Sequence, residues 1–169
     1  CSSDLLDLKP YSQGQEAEHF PAIVANNTVN GKLLGMPWFT DAGLLFYRKD
    51  LFEAAGLAVP TTMEELVEDA KKLTDPSKNQ YGFVANGQKG PAVAQDWMQY
   101  NTQMGGSILG ADGKSALNSP ENVKSLTVYR QLFADSAPPG AIEYDWGGRE
   151  ESFRQGIAAM MQTWSVGAP

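Results

Sequence analysis

One cysteine and one histidine stand in 169 residues, and each shortage removes a class of protein. Cys1 has no partner, so no disulfide forms within the chain and cysteine usage does not reveal a redox compartment. His19 has no Cys or His companion, so no metal site is expected. No apolar run approaches the roughly 20 residues of a membrane-spanning helix. Basic residues number 13 against 20 acidic ones, a net charge of −7, and they are scattered. That balance argues against nucleic acid or an anionic membrane surface as a partner. No glycine-rich loop opens a helix after a strand, and Gly105-Gly106 closes a helix instead. Phosphate cradling is therefore not expected, nor is any cofactor.

What remains is a chain with 42% hydrophobic and 20% charged residues, long enough to bury a core. Asn30-Gly31 is a turn signal feeding a short strand at Leu33–Pro37. Asp4–Leu8 reads as a helical turn stopped by Pro10. Leu44–Tyr47 is an unbroken apolar run, the pattern of a strand covered on both faces. Thr62 and Glu65 have capping-box spacing ahead of an apolar stripe at Met63, Leu66, Val67, Ala70 and Leu73. Tyr81–Ala85 and Ile157–Met161 are further strand candidates, and Pro91–Met104 and Arg149–Gln155 further helices. Ser119-Pro120-Glu121 opens a helix striped by Val123, Leu126, Tyr129, Leu132 and Phe133. Strands alternating with amphipathic helices place the chain in the α/β class.

The run Trp38–Phe52 is the most informative stretch. An aromatic-rich polar loop passes through Asp41 into an apolar strand and then a short helix. It holds no nucleophile, but an aromatic face beside a carboxylate suits a polyhydroxylated ligand. Gln95 and Trp97, near the start of the Pro91 helix, are further polar and aromatic candidates, though a solvated helix face explains them equally. Glu150 and Glu151 are the adjacent acids nearest an aromatic cluster and define a rival, a carbohydrate-active hydrolase domain. Glycoside hydrolysis needs two carboxyl groups facing each other across the bond, about 5–10 Å apart, and helix neighbours point in different directions. No enzymatic activity is expected.

Five segments in order resemble the extracellular solute-binding proteins of bacterial ABC importers, the family containing the maltose- and trehalose-binding proteins. Asn30–Pro37 followed by Thr40–Phe52 resembles the family's "NGKLYGLP" and "LYYNKDLF". Pro60–Leu66 with Tyr81–Phe83 resembles its "P-TW-EL" helix start and the strand that follows. Gly105-Gly106 with Asp112–Lys114, Asn118–Glu121, and Phe153–Met160 resemble its "GG…DGK", "NSPE" and "F-GKAAM".

The resemblance implies a type II periplasmic-binding-protein fold: two lobes, and roughly twice this length. Residues 1–40 would be part of the first lobe and hinge approach, and 41–169 most of the second, ligand-binding lobe. It implies a mono- or oligosaccharide held in the interlobe cleft by stacking and hydrogen bonds. Asp41 would supply a ligand acceptor at the lobe crossing; its bland alternative is a turn-capping aspartate. Trp164, after the last apolar strand, and Trp146, in the loop before a helix, fall where relatives place stacking aromatics; a rim tryptophan filling the core is the alternative. Phe39 flanks the hinge as a further platform, and Gln95 would face the cleft. Implied partners are the sugar and the importer's permease subunits, with a periplasmic or membrane-anchored extracellular location. Cys1 is then either a lipid-modified mature terminus or a residue exposed by truncation. Part of a two-lobed receptor is expected to bind sugar weakly or undetectably.

Overall fold

The computed structural model describes residues 4–167. Cys1 lies outside the described residues. They form two compact units divided between Ala42 and Gly43.

The first unit contains helix α1 (Pro21–Asn26) and the hairpin β1 (Thr28–Val29) and β2 (Lys32–Leu33). Asn30 and Gly31 take φ of 49° and 78°, the left-handed pair a two-residue hairpin turn demands. The expected strand to Pro37 stops at Leu33. The Leu34 N–H turns back to the Asn27 carbonyl at 2.9 Å, and Pro37 has no N–H to offer. The expected helical turn at Asp4–Leu8 is corrected as well. The Leu8 N–H pairs with the Leu33 carbonyl at 2.8 Å, and the Asp7 carboxylate accepts from the Leu33 N–H at 3.0 Å. The segment is thereby tied to the hairpin rather than coiled on itself.

The second unit holds β3 (Gly43–Tyr47), α2 (Lys49–Ala55), α3 (Met63–Lys72), α4 (Pro91–Gln103), α5 (Pro120–Ser136), α6 (Trp146–Arg154) and β4 (Met160–Trp164). β3 and β4 are antiparallel, in register from Gly43 opposite Trp164 to Tyr47 opposite Met160. The last strand therefore begins three residues later than its apolar run suggests, and Trp164 is its final residue. Tyr81–Val84 flanks the other edge of β4 in parallel, touching it only at the Tyr81–Ala158 and Val84–Met161 bridges. It is not a regular strand: the Tyr81 and Val84 N–H groups donate to the Ile157 and Met160 carbonyls, but the two donors between them are spent elsewhere. The Gly82 N–H binds Thr74 Oγ1 at 2.9 Å, and the Phe83 N–H binds the Ser136 carbonyl at 3.1 Å. Phe83 and Met160 are fully buried, but β3 is not covered on both faces: Leu44 is 45% exposed and Leu45 half-buried.

Helices α3, α4 and α5 carry the core. Thr62 and Glu65 form the capping box, and Leu66, Val67 and Ala70 face inward as their spacing predicts. Phe83, Tyr100, Tyr129 and Phe133 follow one another edge to face at ring separations of 6.3, 5.0 and 5.3 Å. The α5 stripe differs from expectation. Val123 and Leu126 are half exposed, and the buried row is Asn122, Ser125, Tyr129, Leu132 and Ser136. Two of its polar side chains, Asn122 and Ser125, are held by partners on neighbouring segments. Asn122 Nδ2 donates to the Ser107 and Ala116 carbonyls at 2.8 and 2.6 Å, and the Ser125 hydroxyl donates to Asn101 Oδ1 at 2.7 Å. Among the described residues no helix is long and apolar enough to cross a membrane.

Candidate functional site

Helix α4 presents two rows at fourfold spacing. Ala92, Asp96 and Tyr100 face the interior. Gln95, Gln99 and Gln103 lie one step away and, with Met98 and Thr102 of the same helix and with Gly43 and Trp164 at the ends of β3 and β4, line a cleft of about 440 Å³. That volume falls in the range of small-molecule sites. A carboxamide can both donate and accept, which matches a hydroxyl-rich solute; Gln99 Nε2 itself is buried. The indole of Trp164 offers a flat apolar wall beside them. Gly43 makes the close approach possible: a Cβ there would sit 2.2 Å from Gln99 Oε1. Gln162 Nε2 reaches the same oxygen at 3.5 Å.

Of the five residues picked from sequence, Gln95 and Trp164 are brought into this one cleft. Trp146 is not in a loop. It is the first residue of α6, whose N-terminus is capped by Asp145 accepting from the Gly148 N–H at 3.0 Å, and it is 37% exposed. Asp41 and Phe39 belong to the first unit. Asp41 Oδ1 accepts from the Ala42 N–H at 3.1 Å, while Phe39 lines a separate aromatic recess with Phe20 and Trp38. Trp97 is a core residue: its ring packs on the core and its Nε1–H donates to Ser125 Oγ at 3.1 Å. Sequence reasoning missed Gln99 and Gln103, although the spacing of four from Gln95 was there to be read.

It also missed a buried polar network behind the cleft. Arg149 and Asp96, on α6 and α4, are 0% and 1% exposed and meet at 2.7 Å. The other Asp96 oxygen accepts from the Asn86 N–H at 2.9 Å, and the Tyr129 hydroxyl donates to the Asn86 carbonyl at 2.6 Å. The second Arg149 nitrogen donates to the Thr163 hydroxyl of β4 and lies 3.6 Å from Glu150. Burial pushes the Asp96 carboxyl above its ordinary value, against the opposing pull of the Arg149 charge and the Asn86 N–H. Burial likewise pushes the Tyr100 and Tyr129 hydroxyls up.

Both acids of the hydrolase rival are held by partners of their own. Glu150 accepts from Thr163 at 3.2 Å, and Glu151 pairs outward with Arg154 at 2.5 Å and Gln155 at 2.8 Å.

Comparison with known proteins identifies the family. Residues 4–168 match the family model described as bacterial extracellular solute-binding protein. A probable ABC transporter-binding protein of Deinococcus radiodurans is 37% identical, over 95% of this chain and 40% of its own length. An ABC transporter solute-binding protein from Agrobacterium radiobacter K84, solved in complex with ribitol, is 69% identical with a TM-score of 0.90. That match covers 99% of this chain and 43% of the other. Maltose-bound MalE3 of T. maritima is 37% identical with a TM-score of 0.83, over 96% of this chain and 42% of its own. The chain thus spans about two fifths of the length of the relatives it matches. It belongs to the bacterial extracellular solute-binding proteins.

Proposed function

We propose that this chain supplies one lobe's share of the ligand cleft in the solute-binding component of an ABC importer for polyols or sugars. The observation that carries the reading is the row Gln95, Gln99 and Gln103 lining one cleft with Trp164. Carboxamides exchange hydrogen bonds with vicinal hydroxyls in either direction, while the indole covers the apolar C–H face of the solute. The 69% identity to a ribitol-bound solute-binding protein favours a polyol or monosaccharide as the first ligand to try. Asp41, Phe39 and Trp146 would complete the ligand's surroundings in the whole receptor. Its partners would be the importer's permease subunits, on the periplasmic or extracellular face.

Binding by this chain alone would be weak, because the other half-site contributes several hydrogen bonds of about 0.5–1.5 kcal/mol each. At about 1.4 kcal/mol per tenfold, their loss moves a micromolar site to millimolar. Titration with ribitol, mannitol and maltose, followed by tryptophan fluorescence, tests the reading. A saturable millimolar response to ribitol that Trp164→Ala abolishes is expected. No response to any of the three, or one that survives Trp164→Ala, refutes it.

A further inference from the structure

Arg149 is the largest fully buried side chain among the described residues, and its placement is costly. An apolar pair of similar volume would hold α4 against α6 as well or better, so cohesion alone does not account for the charge. Its geometry does. The guanidinium is a rigid planar fork, so two partners on different elements fix each other's direction as well as distance. One prong holds Asp96 of α4 at 2.7 Å and the other holds Thr163 of β4, with Glu150 beside it at 3.6 Å. Each anchor is the immediate neighbour of a cleft residue: Gln95 precedes Asp96, and Trp164 follows Thr163. Side chains alternate along a strand, so burying Thr163 against the fork turns Trp164 to the opposite side. Asp96 is itself held on its far oxygen by the Asn86 N–H at 2.9 Å, so the fork closes on a fixed base.

We propose that Arg149 is a positioning residue for solute binding: through Asp96 and Thr163 it sets the separation and tilt of the Gln95 row and Trp164 in the cleft. This rests on the cleft being the ligand site, and the test separates the two claims.

The chain is labelled with 5-fluorotryptophan, whose four signals report Trp38, Trp97, Trp146 and Trp164. Spectra are recorded for the wild type, Asp96→Asn, Thr163→Val, the double variant, and the core control Leu132→Ala, each without and with ribitol. The fork joins Asp96 to Thr163, the neighbour of Trp164, so Asp96→Asn is expected to shift and broaden the Trp164 signal and leave Trp38 unmoved. It should weaken ribitol binding about tenfold, and Thr163→Val should add less than twofold to that. Leu132→Ala should lower the urea midpoint while leaving the Trp164 signal and the ribitol constant within twofold of wild type. An unmoved Trp164 signal in folded Asp96→Asn overturns the proposal whatever ribitol does. Equal loss of ribitol affinity in Leu132→Ala, or fully additive losses in the double variant, overturns it too. If Asp96→Asn fails to fold, the apolar pair Asp96→Leu with Arg149→Met serves in its place, with the same expectation at Trp164. A wild type whose Trp164 signal ignores ribitol refutes the ligand reading, and the ligand-free spectra still decide the positioning role.

Discussion

Gly43→Ala separates the cleft from the fold that carries it. Gly43 stands opposite Trp164 in the β3–β4 register and has an ordinary backbone conformation, so alanine brings no backbone strain. Its new Cβ would meet Gln99 Oε1 at 2.2 Å and Gln99 Cδ at 3.2 Å, with Gln162 Nε2 next at 3.9 Å. The colliding atoms are the far end of a flexible side chain, so Gln99 swings aside and the strand stays. The costs are then small. Loss of the long 3.5 Å contact between Gln162 and Gln99 removes at most about 0.5–1.5 kcal/mol. Replacing a strand glycine returns about 0.5–1 kcal/mol by restricting the unfolded chain. The net change in stability should lie within about 1 kcal/mol, a urea-midpoint shift of roughly 0.5 M at a slope near 2 kcal/mol/M.

The ligand should feel the substitution far more. The displaced carboxamide leaves the middle of the glutamine row and enters the 440 Å³ cleft that Gln95 and Trp164 bound. A misplaced hydrogen bond and lost volume together are expected to weaken ribitol binding at least tenfold, about 1.4 kcal/mol. Urea unfolding and ribitol titration on the same preparation measure both quantities. A stability loss above about 2 kcal/mol would mean that Gln99 cannot move, and unchanged ribitol affinity would mean that the glutamine row does not touch the solute. Either result defeats the reasoning.

Three further substitutions probe the frame around the cleft. Gly82→Ala puts a Cβ 1.7 Å from the Ala70 carbonyl oxygen and 2.4–2.5 Å from its backbone carbons, so α3 itself must shift; a loss of about 3 kcal/mol or more by urea unfolding is expected, and a loss under 1 kcal/mol would contradict it. Trp97→Phe removes the bond to Ser125 and should cost about 1 kcal/mol of stability while leaving the ribitol constant unchanged, as titration of the variant will show. Glu65 accepts from the Thr61 N–H at 2.7 Å, the Thr61 hydroxyl and the Thr62 N–H, which holds its carboxyl below the ordinary value of 4.5. A carboxyl depressed in the folded state stabilises above its unfolded pKa and loses that contribution as pH falls through the folded one. Stability of the wild type should therefore decline below about pH 4.5 more steeply than that of Glu65→Gln, and parallel declines would refute the assignment.

Helices were legible where local chemistry decides them. The Thr62–Glu65 capping box, Pro91 at the first position of α4 and Ser119 ahead of Pro120 each act within a few residues, so the sequence carries the whole cause. Strands were less legible because their partners are distant. Apolarity of Tyr81–Ala85 and Ile157–Met161 reported burial, which Phe83, Val84, Ala158 and Met160 confirm. It could not report that Thr74 and Ser136 capture the donors of Gly82 and Phe83. On α5 the apolar stripe misled for the same reason. Asn122 and Ser125 look like surface residues until Ser107, Ala116 and Asn101 are in place to satisfy them.

The site divides along the same line. Strand position and the family resemblance pointed to Trp164, and helix position to Gln95; the fold places both in one cleft. Nothing local distinguishes Arg149 from the exposed Arg154 five residues later, or Asp96 from any acid on a solvated helix face. Their pairing spans 53 residues of sequence, and only the fold reveals that both are desolvated. A charge on a helix reads as surface by default, because burial without a partner is prohibitively unfavourable. The exceptions are therefore invisible until the partner is found, and they cluster where geometry must be held. Here Arg149 joins Asp96 to Thr163, the sequence neighbours of the two cleft residues picked from sequence, Gln95 and Trp164, so the positioning role proposed for it could be argued only from the fold.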